Sequence, residues 1–256
     1  MEEAEGKLAK VLTAFLKARG REVAAAIVDA LGLKKSVDPM DDHSSRIEHA
    51  FETVDWNWTP LRAKVEPILI GVATGAGEQA LTELGSFSPE VLAKLRRNAK
   101  EFAVDRAAEM VGMERRGELL LPNPDPEWTI ADATRDMIRS TITEALDEGW
   151  SAQETAKAIR ESAGFSATRA ETIARTEIAI ADVQGTLTGW KASGLVAAKQ
   201  WLVDPENCCD ECTELDGEIV PLDEEFEGGD PPLHPRCECT VIAILNDELP
   251  EHGTEE

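Results

Sequence analysis

The chain has 256 residues, 30% of them charged and 42% apolar, a balance typical of a soluble globular protein with room for one large or two average domains. Acids outnumber bases 50 to 26, giving a net charge of -24; Asp204 to Glu256 carries -17 of it and the preceding residues -7. A phosphate-backbone binder needs clustered Lys and Arg, and this C-terminal region carries the opposite field and should repel such a backbone. No apolar run is long enough to cross a bilayer.

The acidic C-terminal region reads as a solvated face that keeps the protein soluble, or as a surface for docking onto a basic protein. The opening MEEAEGKLAK lacks the basic-then-apolar pattern of a secretory signal, so a reducing cytoplasm is expected, where disulfides are uncommon.

From Glu2 to about Val111 the chain reads as mostly helical. Leu8, Val11, Leu12, Phe15 and Leu16 share one face at 3–4 spacing, and Val23, Ile27 and Leu31 continue it. A loop is predicted over KKSVDPMDDHSS (34–45). His43 and His49 have no companions and read as solvated or core histidines. Trp56 and Trp58 read as packing anchors. GVATGAGEQA reads as a helix start or a flexible joint, and without a following Lys-Ser/Thr it is no phosphate loop. A further helix is predicted from Ser88 as N-cap, with Pro89 at its first position and Glu90 in its first turn.

Pro122, Pro124 and Pro126 interrupt GELLLPNPDPEWT, and the chain is divided there. The expected organisation is a helical N-terminal domain over 1–120, a proline-rich linker over 121–128, a second domain over 129–246 and an acidic tail over 247–256. Thr129 is placed to cap a helix whose stripe is Ile130, Ala133, Met137, Ile138, Ile142, Ala145 and Leu146, ended by Gly149. Ser151 to Glu154 is a capping box that opens a second helix, closed by Gly164. A third starts near Ser166 or Thr168 and runs to Gly194.

The period then changes. AAKQWLVDP reads as a strand with Trp201 and Val203 on one face, and CTVIAIL as its partner. The fold class is therefore α+β: a helical N-terminal domain, then a three-helix unit with a small β-sheet and a long insertion between the strands.

That insertion holds all five cysteines. Five is an odd number, which speaks against a disulfide framework. Cys209 and Cys212 form a CxxC knuckle, and His234, Cys237 and Cys239 follow after 21 intervening residues. A redox pair would want a strand before the CxxC and a helix after it, the thioredoxin-like context. A catalytic metal would need an open coordination position and a general base, and unligated thiols would leave this polar insertion without a core. The residue types favour a structural, tetrahedral Zn2+ site formed by Cys209, Cys212, His234 and Cys237, with Cys239 as the alternative ligand. Its binding energy would become folding energy. Cys208 faces the other way and reads as a bystander.

In RAETIARTE, Arg169, Glu171, Arg175 and Glu177 alternate in sign along one helix. They read as exposed ion pairs, or, more sharply, Arg175 and Glu177 turn inward as structural ion-pair residues that brace the helix against the β element. No catalytic residue and no nucleophile–base pair is expected, and the chain is not read as an enzyme.

TRDMIRSTITEALDEGWSAQETAKAIRE, RAETIARTEIAIA, CDEC, LDGEIVPLD and PPLHPRCECTV together resemble the phage head morphogenesis (Mu F-like) minor head protein family, from about Thr129 to Leu245. Cys209, Cys212, His234 and Cys237 stand at that family's Cys/His positions. Glu238 stands where the family shows arginine between the last two cysteines. The resemblance implies a minor head protein of a tailed bacteriophage that enters the procapsid, associates with the portal protein and with capsid or scaffold, and influences DNA packaging or delivery. It also implies a place in the virion interior near the portal vertex, reached from the host cytoplasm, with neither specific nucleic-acid nor membrane binding. The competing readings are a zinc-stabilised bacterial adaptor and a toxin-associated effector module.

Overall fold

The computed structural model describes residues 1–31, 43–85, 87–205 and 208–248. The predicted loop at 34–45 and the acidic tail at 247–256 lie largely outside these. In chain order the elements are α1 (Glu2–Ala30), α2 (His43–Thr53), α3 (Arg62–Leu84), α4 (Pro89–Glu109), β1 (Met113–Arg116), β2 (Leu119–Pro122), α5 (Ile130–Asp147), α6 (Ala152–Glu161), α7 (Ala167–Ser193), β3 (Val196–Leu202), α8 (Asp210–Glu214), β4 (Ile219–Pro221) and β5 (Thr240–Leu245). Among the described residues the fold is α+β, mostly helical with two small antiparallel sheets.

By contacts the chain forms two compact units. The first comprises Glu5–Val65 and Asp105–Ala174. Here the 3–4 spacing of α1 buries Leu8, Leu12, Phe15, Leu16, Val23 and Ile27. Phe15 meets the buried ring of Trp58 edge-on at 5.5 Å. Arg135 and Arg139 of α5 lie over the ring of Phe51 in α2 at 5.3 and 5.1 Å, and Arg139 also pairs with Glu48.

α5 and α6 begin where their caps predict. The Thr129 hydroxyl accepts from the Asp132 N–H at 2.9 Å. Ser151 and Glu154 exchange both bonds of a capping box, and the Ser151 hydroxyl holds the Glu154 carboxyl below its usual range. The stripe of α5 is narrower than predicted, because Met137 is 44% exposed and Thr134 takes a buried place instead. Gly164 does not close α6, which ends at Glu161; it lies in a 3-10 turn (Ala163–Phe165), where an added Cβ would stand 3.2 Å from the Thr134 methyl. The stretch before Pro122 forms a hairpin that the proline signals hid. Arg116 faces Leu119 across a two-residue turn, and Gly117 adopts φ 65°.

The second unit comprises Met1–Ala4, Glu66–Val104 and Arg175–Glu256. Here the small-residue run is neither a helix start nor a joint but the interior of α3. An ideal Cβ on Gly185 of α7 would lie 2.2 Å from the Ala73 carbonyl oxygen, and one on Gly189 would lie 2.6 Å from that of Gly77. These glycines let two helix backbones pass in contact. The sheet has the order β4-β3-β5, all antiparallel, with Trp201 opposite Val241. One core joins Val183, Leu187 and Trp190 of α7 to Trp201, Phe226, Val241, Cys212, Cys237 and Cys239. The pairing of β3 with β5 closes the long insertion and places its cysteines over the end of that core.

Candidate metal centre

The CxxC segment folds as one helical turn. Cys209 is the N-cap of α8, with its sulfur accepting from the Cys212 N–H at 3.4 Å, so the Cys212 side chain returns one turn later on the same side. His234 is held by a second tight turn: the Cys237 N–H donates to the His234 carbonyl at 3.1 Å, and Arg236 takes the left-handed φ of 65° that a side chain rarely adopts. His234 Nδ1 lies 3.1 Å from the Pro235 carbonyl, which leaves Nε2 toward the sulfurs. β5 then begins at Thr240, immediately after Cys239.

The donors meet in two triads that share Cys212. Cys209, Cys212 and His234 form one; Cys212, Cys237 and Cys239 form the other; within each, all donor atoms lie within 4.8 Å of one another. Each triad could hold a metal ion. The separations can be set against the edges of a tetrahedron. Zinc–thiolate and zinc–imidazole bonds of about 2.3 and 2.0–2.1 Å give S···S edges of about 3.8 Å and S···N edges of about 3.6 Å. Cys212 Sγ lies 3.8 Å from Cys237 Sγ and 3.5 Å from His234 Nε2, and Cys209 Sγ lies 3.2 Å from the same nitrogen. These separations lie close to such edges, but the donors gather as two triads sharing Cys212 rather than as one set of four.

The electrostatics agree with those separations. Burial pushes the Cys212 thiol well above its ordinary range, reinforced by Cys209 and Cys237. Burial and Cys237 raise Cys239 to about 11. Cys209 moves the other way, chiefly because its sulfur accepts from the Cys212 backbone, with His234 nearby. A cluster of converging thiols resists ionisation unless a cation offsets the repulsion. Cys208 belongs to neither triad; its sulfur accepts from the Thr213 hydroxyl at 3.3 Å.

Of the α7 residues predicted to brace the β element, Arg175 pairs with Glu238, the residue between the two cysteines of the second turn. The Thr176 hydroxyl accepts from the Arg236 N–H at 3.3 Å beside it. Glu177 is buried on the same helix. Arg169, read as an exposed ion-pair residue, is instead a part-buried anchor, and Lys199 is a second anchor that the sequence did not single out. Arg169 donates to the Thr134 hydroxyl at 2.6 Å, the Gly164 carbonyl at 2.7 Å and the Ile130 carbonyl at 3.2 Å, while burial lowers its pKa to about 10, so that it stays charged at neutral pH. Lys199 is buried on β3 and pairs with Asp230. Its signal was its place two residues before Trp201, which puts both side chains on the inward face of the strand.

A helix carrying the ion-paired Arg175 is followed by a small sheet whose insertion brings a CxxC knuckle and an HPxC turn together as a Cys/His cluster. Residues 136–242 match the family model described as Phage Mu protein F like protein. The match spans α6, α7, β3 and every donor of both triads. No curated protein and no solved structure matches the chain. No helix among the described residues is long and apolar enough to cross a membrane.

Proposed function

We propose that the protein is a minor head protein of a tailed bacteriophage, acting in procapsid assembly at the portal, with a structural rather than a catalytic role. The observation that carries this reading is the family match over 136–242, which takes in both the ion-paired helix and the Cys/His cluster. Cys209, Cys212, His234 and Cys237 hold a structural Zn2+ in this reading, with Cys239 as the alternative ligand. Arg175 and Glu177 brace α7 against the cysteine turns, and residues 129–246 act as the head-morphogenesis domain.

The charge supports a protein-bound place inside the capsid. A chain of net charge -24 is repelled by packaged DNA and stays free to hold a protein surface. Its partners are then the portal protein and capsid or scaffold, first in the host cytoplasm and later in the virion interior near the portal vertex. Gradient sedimentation of the purified chain with portal oligomers, procapsids and duplex DNA tests this. Co-migration with portal or procapsids is expected. Co-migration with DNA alone at moderate salt would overturn the reading in favour of a role outside head assembly.

A further inference from the structure

The two faces of the β4-β3-β5 sheet differ. Trp201, Val241 and Ala243 turn inward onto the core shared with Val183, Leu187 and Trp190, and Lys199 turns inward with them. On the opposite face, Gln200 is flanked by Ile219 of β4 and Ile242 of β5, while Leu202 pairs with Thr240 and Ala198 with Ile244. Ile219 is 52% exposed, Leu202 43% and Ile242 39%. An antiparallel sheet with one covered face ordinarily turns polar residues outward; here the centre of the open face is aliphatic, with Gln200 between the isoleucines. Clustered exposed aliphatics mark interaction surfaces far more strongly than single ones do.

The rim gives the sign of what would cover this face. Asp204, Asp216, Glu218, Asp247 and Glu248 stand at the strand ends and turns. Lys199 is the only base in the sequence across 195–205, 216–222 and 240–248, and it is buried against Asp230 on the other side. A second copy would bring two such acidic rims together, each in a region carrying -17. Nucleic acid and anionic lipid would be repelled in the same way.

We infer that the outer face of this sheet is a docking surface for a partner protein that presents aliphatic side chains inside a basic rim. Complementary charge steers the encounter and excludes like-charged partners, while Leu202, Ile219 and Ile242 supply the desolvated centre. The inference stands on the exposed residues and their charge, and does not require the partner to be a head protein.

The test places a photo-crosslinking amino acid at position 242 of the full chain, with a control at the exposed Glu101, in cells that naturally make the protein. A product at 242 but not at 101, identified by mass spectrometry as a protein with a basic surface, is expected. The purified pair should then lose about tenfold or more in affinity with Ile219→Thr/Ile242→Thr, and also with Glu218→Lys or at raised salt. Threonine keeps the β-branch, so thermal unfolding of the double variant reports an intact sheet. No product at 242, a product of two copies of the chain, or an affinity unchanged by these substitutions would overturn the inference. A basic partner from outside the phage head would leave it standing while overturning the head-assembly reading.

Discussion

Lys199 and Asp230 form an ion pair inside the second unit, with side chains 1% and 9% exposed and the ammonium 5.3 Å from the centre of the Phe226 ring. The pair ties the central strand β3 to the turn that precedes His234. Two charges taken out of water together are tolerated, whereas one left alone is not. Asp230→Ala should therefore cost about 3–5 kcal/mol in urea unfolding, because the lysine stays buried without its carboxylate. Replacing both, as Lys199→Met with Asp230→Leu, should cost much less than Asp230→Ala alone. A double variant as unstable as the single one would mean that the pair is replaceable only by another polar contact.

The close passage of α3 and α7 makes an opposed pair of predictions from one kind of substitution. Gly185→Ala drives a methyl to 2.2 Å from the Ala73 carbonyl oxygen, a backbone atom that cannot step aside without moving the helix. A loss of about 2–3 kcal/mol is expected. Gly71→Ala, also within α3, meets nothing within 4 Å, and should raise stability by about 0.5–1 kcal/mol through helix propensity alone. Thermal unfolding of the two variants side by side separates contact from propensity.

Arg169 offers a third measurement. Its guanidinium serves three acceptors on two other segments, Thr134 and Ile130 of α5 and Gly164 of the 3-10 turn. An ammonium cannot span that fork. Arg169→Lys should therefore recover only part of the stability lost in Arg169→Met, a loss of about 2–4 kcal/mol. Full rescue by lysine would show that charge alone, rather than the planar geometry, holds the three segments.

What the sequence disclosed follows the range of the interactions involved. Helix starts were legible because a cap and its acceptor lie within three residues, as at Ser88, Thr129 and Ser151. The strands β3 and β5 were legible from their apolar runs, and the convergence of the Cys/His residues from their CxxC and HPxC spacing. The hairpin was hidden because Met113–Arg116 shows no alternation and the prolines after it dominate the reading. The run around Gly77 read as a helix start or a joint because the backbone that Gly77 accommodates, at Gly185, lies far along the chain. Lys199 and Asp230, 31 residues apart, carry no local sign of each other.

The metal centre yields the sharpest prediction because its two triads overlap at one sulfur. If Zn2+ clips the insertion, native mass spectrometry should find one ion per chain, and a strong chelator should remove it together with the near-ultraviolet signal of the Trp201–Phe226 core. Cys212→Ser, which breaks both triads, should abolish binding, whereas Cys208→Ser should retain it. Cys237→Ser and Cys239→Ser then tell which sulfur completes the shell, since only the true ligand's loss should weaken zinc by orders of magnitude. The direction of the pH effect is fixed as well. Without a metal the Cys212 and Cys239 thiols hold their protons above the ordinary range, so zinc uptake near neutral pH must release protons, and affinity must rise with pH. Calorimetry in buffers of different ionisation enthalpy measures that release directly. A stable fold with free thiols, no bound ion and no proton release would leave the cluster as packed core and remove the clip.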